Sequence, residues 1–308
     1  MVAKSKVGEM AMGGRALVLG GGGPVGIAWE SGLLAGLAKA GVDLGLADFT
    51  MGTSAGSFVG ARLALGAETA GLAEPILADA ARAETAPRPT SGGGRPPADL
   101  SKLMALMGEV QAGQRDPEAV RREIGQFALG AETMDEMAFI ATFGRSFASL
   151  PQDAWPERGY ACTAVDAETG EFKLWTKDSG VGVTRAVASS CSVPGIYPPV
   201  TLNGRRYIDG GMRSGTNADM AKGHERVVVV SVRLGGTGEG AARAQAVVDG
   251  EVEALKSGGS KVLVVSPDVA AQAAMGVNLM DFRKRADAAR AGLAQGEAQV
   301  AALREFWS

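Results

Sequence analysis

Two cysteines and a single histidine in 308 residues are the scarcest features of this chain. Cys162 and Cys191 are too few for a disulfide framework, and with His224 as the only imidazole most zinc arrangements are excluded, so no metal is expected. No apolar run reaches the roughly 18 residues that a membrane-spanning helix needs. The residues from Met1 to Gly14 mix lysine and glutamate with small side chains and lack the apolar core of a secretory signal. They read as an N-terminal extension, and the default location is the cytoplasm. Charge of one sign is missing as well. Lys and Arg number 31 against 34 Asp and Glu, a formal net charge of −3 with no long basic run, so nucleic acid is not an expected partner. Nothing calls for an organic cofactor.

What the chain has in excess is glycine, 45 residues gathered at particular places, which points to tight turns and close backbone approaches. Arg15-Ala-Leu-Val-Leu19 reads as a buried strand feeding the glycines at 20–23, and residues 27–40 read as a helix closed by Gly41. A short strand at 48–51 leads into Gly52-Thr-Ser-Ala-Gly56, with a second helix over 57–65. Strand, glycine turn and helix thus occur twice, as in an α/β protein with a mostly parallel sheet. Residues 86–97, rich in proline and glycine, break the pattern, and helices are expected at 99–110, 117–129 and 134–150. This region, 84–150, reads as a helical insertion within one domain spanning 15–308. Strands return at 160–165 and 172–175, and Asn203-Gly204 marks a hairpin between 199–202 and 205–208. The runs at 227–232 and 262–265 are continuous apolar segments, as in central parallel strands. A C-terminal amphipathic helix carries Phe282, Ala286, Ala289, Leu293, Val300, Leu303 and Trp307 on one stripe.

Three segments carry chemistry. Gly52-Thr-Ser-Ala-Gly56 fits G-x-S-x-G, which lifts a serine hydroxyl on a sharp strand-to-helix turn. Its plain alternative is a serine that merely caps the following helix. Gly21-Gly-Gly-Pro-Val-Gly26 has three readings. It is an oxyanion hole built from Gly21, Gly22 and Gly23 amides, a dinucleotide fingerprint, or close helix–strand packing without a ligand. The nucleotide reading wants an acid ending the second strand, and Asp43 lies near the right distance but without a strand pattern around it. Asp209-Gly210-Gly211 follows a hairpin strand, where an acid and two glycines often close a surface turn. His224, in a polar stretch before a strand, reads as a solvated loop residue.

In this order and spacing, Gly21–Gly26, Gly52–Gly56 and Asp209–Gly211 resemble the patatin-like phospholipases. Ser189-Ser-Cys-Ser-Val-Pro-Gly-Ile-Tyr-Pro-Pro199 and residues 209–217 are similar to the stretches around that family's aspartate. The resemblance runs from about Ala16 to Pro267 and is weakest over 69–150. It implies a three-layer α/β/α fold and lipid acyl hydrolysis by a Ser–Asp dyad without histidine. Ser54 would then be the nucleophile, Asp209 the base, and Gly21, Gly22 and Gly23 the oxyanion hole. One departure is Val25, where many members carry Arg or Lys.

The expected activity is therefore that of a serine esterase on lipid-like or small-molecule esters, through an acyl-enzyme, with room for peripheral contact with a membrane. The competing classes are a nucleotide-dependent enzyme using the glycine loop and a non-catalytic binding protein on the same fold. Residues 86–97, with Leu100, Leu103, Met104, Leu106 and Met107, are expected to form either a flap over an acyl site or an ordinary connector into a core helix.

Overall fold

The structure is a computed structural model that describes residues 13–85, 100–147, 150–232 and 239–308. β1 (Arg15–Leu19) runs into α1 (Gly23–Lys39), and β2 (Phe49–Gly52) into α2 (Ala55–Ala64). Four helices follow: α3 (Glu74–Thr85), α4 (Ser101–Gln111), α5 (Pro117–Gly130) and α6 (Glu136–Phe147). Then come β3 (Gly159–Asp166), β4 (Phe172–Trp175), α7 (Val183–Ser190), β5 (Val200–Leu202) and β6 (Arg205–Asp209). The chain closes with β7 (Arg226–Val230), α8 (Glu239–Ser257), β8 (Lys261–Val265), α9 (Val269–Met275) and α10 (Arg285–Trp307).

The strands form one mixed sheet. β1 pairs in parallel with β2 and β7, β2 with β3, and β7 with β8, whereas β3 with β4 and β6, and β5 with β6, are antiparallel. Side chains alternate between two buried faces, as the strand period requires. Leu17, Leu19, Val228 and Val230 point to one face, under α1 and α10. Tyr160, Cys162 and Ala164 lie with residues of α6 and α7 in a second cluster. Ala16, Val18, Val227 and Val229 point the other way, with Leu255 of α8, and Val165 packs against Val120 and Ile124 of α5. The result is the expected three-layer α/β/α arrangement with a mostly parallel sheet.

Local signals explain several boundaries. Asp116 caps α5 by accepting from Ala119 N at 2.7 Å, with Pro117 in the first turn. Asp268 caps α9 through Ala271 N at 2.8 Å, and Gly276, at φ 68°, ends it. The C-terminal stripe holds at Ala289, Leu303 and Trp307, with Val300 packed beside them, and departs from expectation at its start. Phe282 precedes α10 and is exposed, while Gly292, Gln295 and Gly296 are buried. The reason is close helix contact: a Cβ on Gly32 would lie 2.2 Å from Ala289 O, and one on Gly292 2.3 Å from Trp29 O. α1 and α10 therefore meet backbone to backbone, and glycines outside the expected stripe mark the seam.

The expected flap falls in two parts. Residues 86–97 lie outside the described residues. In α4, Leu103 and Leu106 are buried against Val120, Ile124 and Ala128, and only Met104 stands clear, 65% exposed. For α4 the core-helix reading holds. Among the described residues no helix is long and apolar enough to cross a membrane.

Candidate active site

β3 is the ruler on which the site is assembled. Cys162 pairs with Gly52 of β2 and with Trp175 of β4, so these strands flank β3 on opposite sides. Ala164 and Val165 pair with both β4 and β6, which places β6 on the side that β2 occupies. β2 ends opposite Cys162 and β6, running the other way, ends with Asp209 opposite Ala164. The two strands thus meet end to end across Thr163, two residues of strand rise apart, about 7 Å. Residues 155 positions apart in sequence, Ser54 and Asp209, leave from this one junction.

Ser54 adopts φ 51° and ψ −117°, a conformation that costs a non-glycine residue about 1–3 kcal/mol. Its surroundings hold it there. The Ser54 N–H donates to Ser190 Oγ at 3.0 Å, and its carbonyl accepts from Ser57 Oγ at 2.6 Å and Cys191 Sγ at 3.1 Å. Both glycines of the motif are required by space: a Cβ on Gly52 would lie 2.3 Å from Gly56 O, and one on Gly56 2.2 Å from Leu19 O. Although Ser54 stands at the N-cap of α2, its side chain makes no capping hydrogen bond. The plain reading of the motif as a helix cap fails on that observation.

Asp209 is 2% exposed. Its Oδ1 accepts from Gly211 N at 2.7 Å, and its own N–H donates to Ser192 O at 3.0 Å. Beneath the junction lies a buried polar clamp that sequence reasoning did not find. Thr53 Oγ1 and Thr163 Oγ1 share a hydrogen bond of 2.9 Å. Asn217 Nδ2 donates to Thr53 Oγ1 at 3.1 Å and to Gly210 O at 3.3 Å, tying the serine turn to the aspartate turn. Arg213 donates to Asn217 Oδ1 at 2.8 Å and pairs with Asp219 at 2.7 Å, which sets the orientation of the amide. The one signal in the sequence was an asparagine among glycines and serines, a residue type that tolerates the φ of 51° found here.

The glycine loop presses on the serine. A Cβ on Gly21 would come 3.3 Å from Ser54 Cβ, and one on Gly22 2.5 Å from Val232 Cγ1. The Gly21 N–H donates to Gly215 O at 2.7 Å, so it is occupied. The Gly22 and Gly23 amides open α1 and have no carbonyl partner among the described residues. Val25 is fully buried in the α1–α10 core, so the position that many patatin-like proteins fill with a cation is here an apolar packing position. Burial first, and the charge of Asp209 second, push the Cys191 thiol well up, which disfavours the thiolate. Burial likewise takes the Cys162 thiol to about 12.

Two competing assignments lose their geometry. Asp43 precedes β2 and accepts from Gly45 N at 2.8 Å, and β2 itself ends at Gly52, leading to Ser54 rather than to a ribose-binding acid. His224 is not a solvated loop residue but half-buried, stacked on Phe49 with ring centroids 5.0 Å apart. Phe49 is the first residue of β2, so His224 sits at the far edge of the sheet, roughly 16 Å of strand from Ser54. An open groove of about 500 Å³ beside Gln152, Arg185 and Asn203 contains none of the candidate site residues. Among the described residues no cluster of His, Cys, Asp and Glu could hold a metal ion.

The sequence profile of the patatin-like phospholipases matches residues 17–222, a span that contains Gly21–Gly23, Ser54 and Asp209. The chain belongs to the patatin-like phospholipase family. This patatin-like chain matches no curated protein sequence. Among solved structures it is similar to VipD from Legionella pneumophila, at 14% identity and a TM-score of 0.45, over 99% of this chain and 70% of that one. It is also similar to ExoU in the ExoU–SpcU complex from Pseudomonas aeruginosa, at 15% identity and a TM-score of 0.39, over 97% of this chain and 53% of that one. The patatin-like chain therefore spans about half the length of ExoU.

Proposed function

We propose that the protein is a serine acyl hydrolase that cleaves lipid-like esters with Ser54 as nucleophile and Asp209 as proton acceptor. The observation that carries the reading is the junction on β3: a strained, uncapped serine and a buried aspartate leave strands that meet end to end. As Ser54 Oγ bonds to the ester carbonyl carbon, its proton passes to the Asp209 carboxylate. Gly22 and Gly23 N–H groups donate to the oxyanion. Of the three amides expected from sequence, Gly21 is left out because its N–H is already bonded to Gly215. Collapse breaks the ester C–O bond, and the departing alcohol takes the proton from Asp209. Water then attacks the acyl-enzyme, giving its proton to Asp209, and the carboxylic acid leaves as Ser54 regains its hydrogen.

A fluorophosphonate should add stoichiometrically to Ser54, read by mass spectrometry, and should fail to label Ser54→Ala. Asp209→Asn should fold and lose at least about a thousandfold in kcat on a chromogenic ester series, the scale of loss for a residue that must move the proton. Near-parental turnover by Asp209→Asn would remove the dyad.

A further inference from the structure

The exposed apolar side chains Val269, Val277 and Phe282 belong to one segment, and that segment borders the glycine loop. β8 ends at Val265, paired with Val230, which pairs in turn with Leu19. The chain after β8 therefore leaves the sheet at the edge from which the glycine loop and Ser54 leave. α9 starts there with Val269, and the turn behind it returns to the mouth. Leu279 O accepts from Val25 N at 3.2 Å, and a Cβ on Gly23 would lie 2.8 Å from Met280 Sδ.

This segment is not loose. Ala271 and Met275 are buried, Gly276 closes α9 at φ 68°, and Asn278 Oδ1 and Asp281 Oδ1 accept from Met280 N and Arg283 N, each at 3.0 Å. On that anchored turn Val277 is fully exposed and Phe282 60% exposed, while Val269, at the far end of α9 beside the exposed Asp268, is 83% exposed. A fixed turn that holds Val277 and Phe282 in water beside the mouth of the site offers a partner two apolar tips.

The charges beside the tip choose the partner. Residues 281–285 hold Arg283, Lys284 and Arg285 against one acid, Asp281. Arg283 pairs with Asp281 at 2.8 Å, and Arg285 lies over the Phe282 ring at 5.9 Å. Lys284 has no carboxylate within ion-pair distance among the described residues. A symmetric contact with a second copy would set these cations against their own equivalents. The excess of cations beside Phe282 fits anionic head groups over acyl chains.

We propose that Val277 and Phe282, with Lys284 beside them, dock the protein on an anionic membrane surface with the glycine loop facing the lipid. The proposal rests on the lipid-ester reading of the site and adds the surface that delivers the substrate. The turn lies beyond residues 17–222, outside what the chain shares with its family profile.

The test is vesicle binding by the full chain carrying Ser54→Ala, which leaves the lipid intact. The vesicles are phosphatidylcholine alone or mixed with phosphatidylglycerol. The mixed vesicles should bind the protein, and salt should weaken the binding. Adding Val277→Ser and Phe282→Ser should raise the dissociation constant at least about tenfold, the scale of losing two inserted apolar side chains. In the catalytically intact background the same double change should leave hydrolysis of a monomeric short-chain ester unaltered. Equal vesicle binding with and without the double change would overturn the proposal. So would absence of binding by the parent, or a dimer in gel filtration that the double change dissociates. Failure of ester hydrolysis by the intact protein would sink the catalytic reading and leave the vesicle result standing.

Discussion

His224 shows how a residue's surroundings decide its role. An imidazole is the usual proton acceptor of a serine hydrolase, and this chain has one. Yet its ring is stacked on Phe49, its Nδ1 lies 3.0 Å from Ala221 O, and its backbone carbonyl accepts from Ser260 Oγ at 2.7 Å. Those contacts pin the start of β7 to the start of β2, at the edge opposite the serine. His224→Ala should therefore keep kcat/KM within about threefold while losing about 1 kcal/mol of stability from the ring pair. Ester kinetics beside a urea melt would check both. A thousandfold slower, correctly folded variant would restore the triad.

At the scale of elements, the site depends on two turns held in register. Asn217 joins them, and its Nδ2 also donates to Ser214 O at 2.8 Å. Glu251 of α8 holds the same loop by accepting from Ala218 N at 2.9 Å, its own pKa raised chiefly by burial. Replacing Asn217 by glycine keeps the left-handed backbone and removes only the amide. Asn217→Gly should lower kcat by about ten- to a hundredfold with little change in KM, because a displaced serine turn costs the reaction geometry and not substrate contact. Slower fluorophosphonate labelling should accompany it. A variant that loses stability but retains its labelling rate would reduce Asn217 to a structural role.

Across the whole molecule the clearest unbalanced group is Glu30, fully buried in α1. Neither carboxyl oxygen has a hydrogen-bond partner among the described residues. Burial pushes its pKa well up, and the nearby Gly20 N–H, already bonded to Val230 O at 2.9 Å, offsets this only in part. The folded protein thus holds a proton that the unfolded chain releases above about pH 4.5. Stability should fall as pH rises from there towards the folded pKa, by up to about 1.4 kcal/mol per pH unit. Glu30→Gln stays neutral in both states, so its advantage over the parent should grow with pH across that window and vanish below it. Urea melts at several pH values would show it, and parallel curves for the two proteins would contradict this account.

Much of this was legible in the sequence because it is local. Apolar runs and glycine stops marked β1, α1 and α2, the G-x-S-x-G spacing marked Ser54, and Asn203-Gly204 marked the hairpin that ends in Asp209. A strand period and a turn depend on neighbours a few residues away, and a sequence displays those directly. The helices α3, α7, α8 and α9 were not found, since much of their apolar content faces partners supplied by distant segments. The seam between α1 and α10 was legible only in part for the same reason. The apolar stripe placed Ala289, Leu303 and Trp307 in the core, but contact between backbones 260 residues apart adds Gly32 and Gly292, which the stripe did not include. Tertiary structure alone decided that Gly21 has no free amide, that Asn217 clamps the two turns, and that Phe282 faces water. Each follows from hydrogen bonds and contacts between distant segments, and the strand pairing on β3 is what brings Ser54 and Asp209 to one place.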